Sequence, residues 1–78
     1  MRQKQLQCVV TFKTTTQAMA FEDVARQGKL SGRLIPLPRL IGAGCGLAWR
    51  EDPNNRVLIE NLKIEYHLEY ENIYEIII

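Results

Sequence analysis

The chain has 78 residues, 46% of them hydrophobic and 24% charged, with a net charge of +1. That size gives one small domain over residues 1–78, which buries only about 60% of the surface its unfolded chain exposes. The composition excludes a disordered segment, and no apolar run approaches the roughly 18 residues of a membrane span. Met1-Arg2-Gln3-Lys4-Gln5 is followed by a polar-interrupted stretch and lacks the apolar core of a signal peptide, so the cytoplasm is the expected location and no membrane partner is expected. There, two cysteines are expected to be reduced, although counting alone leaves a Cys8 to Cys45 bridge open.

Residues 6–12 are rich in β-formers and place Leu6, Cys8, Val10 and Phe12 on one side against Gln7, Val9 and Thr11 on the other. This is a first strand, with Cys8 on its apolar side behaving as a small hydrophobe. Thr14 and Gln17 have the spacing of a capping box. The helix that follows carries its apolar stripe at Ala18, Phe21, Val24 and Ala25, and Gly28 stands where a left-handed C-cap belongs.

A second strand is expected over residues 30–37. Pro36 and Pro38 end it, because each lacks a backbone donor and fixes φ. Gly42, Gly44 and Gly46 then bracket Ala43 and Cys45, permitting positive φ and close approach to the sulfur. Residues 46–50 make a third strand. Asp52 and Pro53 start a second helix as N-cap and first helical residue, with an apolar stripe expected at Val57, Leu58 and Leu62, extended by Ile59 and Tyr66. His67 stands at its C-terminal end, where an imidazolium suits the helix dipole. As the single histidine it offers no ligand cluster, and no metal site is expected. Residues 70–78 form a fourth strand ending in Ile76, Ile77 and Ile78.

The element order is βαββαβ, which predicts an α+β, ferredoxin-like fold with a four-stranded antiparallel sheet and two helices on one face. In that topology the fourth strand is an edge beside the first. Its isoleucines and unblocked backbone then predict a homodimer or higher oligomer through the C-terminal strand.

The candidate chemistry centres on Cys45. Between Val24 and Arg50 there are five basic residues, Arg26, Lys29, Arg33, Arg39 and Arg50, and no acidic one. A thiolate is stabilised by cations and convergent amides, so Arg33, Arg39, Gly44, Gly46 and Arg50 are the candidate binding residues around a reactive Cys45. The alternative is a small thiol packed in a tight glycine loop. From Glu51 onward seven acidic residues stand against Arg56 and Lys63, an asymmetry that can orient a charged partner or simply mark two solvated faces.

With the elements placed, several motifs stand out together: Val10-Thr11-Phe12 before the capped helix, Gly32-Arg33-Leu34-Ile35-Pro36 with Pro38-Arg39 and Ile41, Ala43-Gly44-Cys45-Gly46-Leu47-Ala48, and Ile73-Tyr74-Glu75-Ile76. The combination resembles the small bacterial selenium/sulfur carrier-like family over nearly the whole chain. The resemblance implies that the cysteine at Cys45 holds sulfur or selenium as a persulfide or selenopersulfide. Its partners would be donor and acceptor proteins. Such a role needs an accessible thiol, a stabilised anion and a docking surface, but no base, metal or cofactor, so an enzyme proper is not expected. The other reading is a non-catalytic ferredoxin-like module that oligomerises or binds a small ligand, its Gly-x-Gly-x-Gly run cradling an anion. RNA binding on the open sheet face is disfavoured, because the strands lack aromatic-rich RNP signatures and Trp49 alone is poor support; no nucleic-acid partner is expected.

Overall fold

A computed structural model describes residues 3–42 and 44–78; Ala43 of the glycine loop and the basic Arg2 lie outside the described residues. The elements are β1 (Leu6–Thr11), α1 (Thr15–Gln27), β2 (Arg33–Pro36), β3 (Leu47–Glu51), a 3-10 turn (Pro53–Asn55), α2 (Arg56–Tyr66) and β4 (Asn72–Ile77). All pairings are antiparallel and the strand order is β2-β3-β1-β4, so the expected ferredoxin-like α+β fold is present, with β2 and β4 at the edges.

Alternation along the strands decides which side chains meet the helices. The cross-strand row Leu34, Trp49, Val10, Ile73 lies on one face, and the row Arg33, Arg50, Val9, Tyr74 on the other. Cys8, Val10, Phe12 and Trp49 form one core with Ala18, Phe21 and Ala25 of α1 and Ile59 and Leu62 of α2, which puts both helices on the first face. Phe21 sits between Phe12 and Trp49 with ring centroids 5.4 Å from each, tilted as aromatic quadrupoles prefer.

The helix ends show where local chemistry was decisive. Thr14 Oγ1 accepts the Gln17 amide at 3.1 Å, while Gln17 reaches back one residue further than a capping box requires and accepts from the Lys13 amide at 3.0 Å. Gly28 is the C-cap but not left-handed (φ −88°); Lys29 takes the positive φ of 68° instead. Space explains that glycine, since a Cβ there would lie 2.8 Å from Leu62 Cδ1. Asp52 caps as expected, accepting from the Asn54 amide at 2.9 Å, but Pro53 starts a 3-10 turn and the α-helix begins only at Arg56. Of the expected stripe of α2, Ile59 and Leu62 are buried and Leu58 packs against the core, while Val57 is 65% and Tyr66 49% exposed.

Glu51 is the largest departure from expectation. It is 1% exposed and no cation touches it among the described residues. Instead its carboxylate accepts five hydrogen bonds: from the Ser31 amide (3.2 Å) and hydroxyl (2.8 Å), the Gly32 amide (2.9 Å), Trp49 Nε1 (2.9 Å) and Asn55 Nδ2 (2.9 Å). Burial pushes the carboxyl up, but the bonds from Asn55, Trp49, Ser31 and Gly32 outweigh it and hold Glu51 below its ordinary value of 4.5. The same carboxylate shortens the second strand. With Ser31 and Gly32 bound to Glu51, ladder pairing starts only at Arg33, and a Cβ on Gly32 would fall 1.8 Å from the Arg50 carbonyl oxygen.

Three substitutions test this packing, the last as a control outside it. Glu51→Gln places an NH₂ among converging donors and should lower stability at neutral pH by about 2 to 4 kcal/mol in urea unfolding. Because the folded value is depressed, the native chain's Glu51 contribution is full above about 4.5 and is lost as pH falls through the folded value, whereas the glutamine variant should be flatter there. Equal stabilities across that range would contradict the account. Gly32→Ala should cost about 2 kcal/mol or more through overpacking. Gly42→Ala, with nothing within 4 Å of its Cβ, should stay within about 0.5 kcal/mol of the native chain.

Candidate functional site

The β2 to β3 connection carries Cys45 and is closed by one ladder-like bond, from the Leu37 amide to the Gly46 carbonyl at 2.9 Å. Proline starts its course. Pro38 accepts from the Ile41 amide at 2.9 Å, making a tight turn with the exposed Arg39 and Leu40 at its tip. The chain then returns over the sheet face opposite the helices, where Leu40, Ile41 and Gly42 enclose a cavity of about 260 Å³ with Tyr74, Ile76 and Glu71.

Gly44 and Gly46 have φ of +122° and +92°, conformations that disfavour any side chain. Gly44 needs the glycine twice over, since a Cβ would also lie 3.0 Å from the Phe12 carbonyl oxygen. Gly46 needs it for φ alone, its surroundings being open. Between them the Cys45 amide donates to Phe12 O at 3.0 Å, pinning the cysteine to the end of β1. The Cys45 side chain is half-buried, packs against the helix-side core, and makes a long S–H···O contact of 3.9 Å with Leu47 O.

The other thiol has a different environment. Cys8 is completely buried in the core, and both cysteines are free. Burial, only partly offset by Arg56, pushes the Cys8 thiol from 9.0 up to about 11, so its reactive anion is suppressed.

The basic residues do not converge on Cys45. Arg33 and Arg50 are cross-strand neighbours on the face opposite the helices, whereas Cys45 packs toward the helix-side core. Arg50 is also roughly 16 Å further along the strand at 3.3 Å per residue. Arg39 projects from the loop tip. Conversely, a carboxylate that the linear sequence keeps far away is close in space: Glu71 Oε1 lies 3.7 Å from the Cβ position of Gly44. Pairing of β1 with β4 carries it there, because the Glu71 amide bonds Thr11 O at 2.7 Å, one residue before Phe12. Register between the first and last strands is the signal that would have revealed this neighbour.

A second cavity of about 300 Å³, lined by Gln5, Gln7, Ser31, Arg50 and Asp52 among others, opens at the far end of β3 and does not reach Cys45. Among the described residues no group of three or more histidine, cysteine or acidic side chains could hold a metal ion, and no helix is long and apolar enough to cross a membrane. Trp49 is buried on the helix face, bonded to Glu51, and offers no stacking surface for a base.

No curated relative and no solved structure matched the chain. A sequence model of one family did, that described as "Putative Se/S carrier protein-like", over residues 7–75. The match runs from β1 through the glycine loop to β4, and the chain belongs to this Se/S carrier protein-like family.

Proposed function

We propose that the chain is a sulfur or selenium carrier whose working atom is Cys45 Sγ, loaded by one protein and discharged to another. The carrying observation is the contrast between the two thiols. Cys8 is sealed in the core with its anion suppressed, whereas Cys45 lies on a loop between two glycines of positive φ. Cys45 is half-buried rather than sealed, so part of its side chain is open to a partner.

In loading, the Cys45 thiolate attacks the terminal sulfur of a donor persulfide. A new S–S bond forms as the donor's own S–S bond breaks, and the donor leaves as a thiolate with the electron pair, taking a proton from solvent in place of the one Cys45 released. Discharge repeats the exchange with an acceptor nucleophile, and Cys45 is the leaving thiolate. No net oxidation occurs and no cofactor enters. The carrier role is non-catalytic in the sense that each cargo atom is held once and handed on.

Packing of Cys45 against the core favours one competing reading, in which the thiol is structural and the chain is a ferredoxin-like interaction module. Intact mass separates the two. After brief exposure to a persulfide donor, the folded native chain and Cys8→Ser should each gain one sulfur atom, while Cys45→Ser should gain none. A gain retained in Cys45→Ser, or none in any form under conditions where unfolded chain is loaded, would leave the module reading in its place.

A further inference from the structure

The two sheet edges differ sharply in what they offer another chain. In β2 the bond from Leu37 to Gly46 and the pairing with β3 turn the backbone groups of Leu34 and Pro36 outward, and Pro36 has no donor. The strand is four residues long, with Arg33 at its start and Pro38 just beyond it. That edge is blocked by the usual devices.

The β4 edge is six residues long and has neither proline nor lysine. Gln5 and Ile78 exchange two hydrogen bonds of 3.1 and 3.0 Å, and the register repeats that exchange at Gln7 with Ile76 and Val9 with Tyr74, until at the strand's start the Asn72 amide turns to the Thr11 hydroxyl. Ile73, Glu75 and Ile77 therefore turn their amides and carbonyls away from the sheet. Ile77 is also 64% exposed, beside the exposed Leu6.

We propose that a second copy of this chain pairs with that edge, antiparallel and about a twofold axis through Glu75, giving a continuous eight-stranded sheet. Symmetry and alternation select the register. Residues opposite each other must lie on one face, and those exchanging bonds must both point outward. Centring on Glu75 satisfies this for Glu75 with Glu75, Ile73 with Ile77 and Ile77 with Ile73; centring on Tyr74 or Ile76 leaves only two such pairs. The chosen register also sets the exposed Ile77 against Ile73 of the other copy on the helix side, and Tyr74 against Ile76 on the opposite side.

One contact opposes it, the approach of two Glu75 carboxylates across the axis. Each is already held by Arg56 of its own chain at 2.6 Å, so the axis carries two ion pairs rather than two bare anions. The dimer also changes the surroundings of the Cys45 loop. Tyr74 and Ile76 line the cavity beneath Leu40, Ile41 and Gly42, so pairing brings the two cavities together and gives each an outer wall from the other copy. This inference rests on strand geometry and is independent of the carrier reading.

Sedimentation equilibrium from low to high micromolar protein tests the assembly. The native chain should show a dimer, and Ile77→Lys, a change at an exposed position, should keep the native circular dichroism while weakening association about tenfold or more. Register is tested by oxidation in a Cys45→Ser background, where Glu75→Cys should cross-link across the axis, the opposed Cα atoms being about 5.5 Å apart, and Asn72→Cys should not. A native chain that stays monomeric at high micromolar concentration overturns the proposal. So does a dimer in which Asn72→Cys links and Glu75→Cys does not.

Discussion

The structure depends on one buried carboxylate that, among the described residues, is held by hydrogen bonds and no countercharge. Glu51 collects donors from the α1 to β2 connection, from Trp49 on its own strand and from Asn55 at the threshold of α2, so three separate segments share one acceptor. Bonds to an ionised acceptor are stronger than neutral ones, and removing the acceptor would orphan several buried donors at once. Fixing Ser31 and Gly32 to the end of β3 sets the register of β2 on β3. That register brings Leu37 opposite Gly46 and closes the loop on which Cys45 sits. The position of the sulfur at one end of β3 thus follows from a hydrogen-bonded knot at the other.

Within that frame the two thiols stand in different surroundings. Cys8 lies in the central strand, covered on the helix side by the core and flanked across the sheet by Glu51 and Glu75, both of which, like burial, favour its neutral form. Cys45 sits where the ladder ends, held by a single amide bond to Phe12 O and flanked by glycines that no other residue could replace without strain. At this loop a carboxylate, Glu71, stands beside Gly44, while Arg33 and Arg50 lie on the sheet face away from the core against which Cys45 packs.

Much of the fold could be read in the chain because local signals and tertiary structure agreed: alternation at Leu6, Cys8, Val10 and Phe12, a threonine cap, prolines ending β2, and Asp52 before Pro53. In α2 the expected stripe holds at Leu58, Ile59 and Leu62, but Val57 in the first turn after the 3-10 segment and Tyr66 at the far end are exposed. Gly28 was read for its φ when its role is to admit Leu62. The glycine loop was legible, but its basic surroundings were not, since a stretch free of acids in sequence says nothing of what β4 delivers from the other end of the chain. Glu51 shares strand parity with Leu47 and Trp49, which marks it as inward-facing. Its donors, however, come from three segments whose convergence no local pattern encodes.

Holding a chalcogen and handing it on are separable, and the second is the sharper requirement of a carrier. The direct measurement is a single-turnover discharge: chain loaded with isotopically labelled sulfur is freed of donor and mixed with an acceptor thiol, and the label is followed by mass. The account predicts that label leaves Cys45 and appears on the acceptor in equal amount while Cys45 returns as a free thiol. Label that stays on the folded chain while acceptor is in excess, or that leaves only when the chain is unfolded, would contradict it.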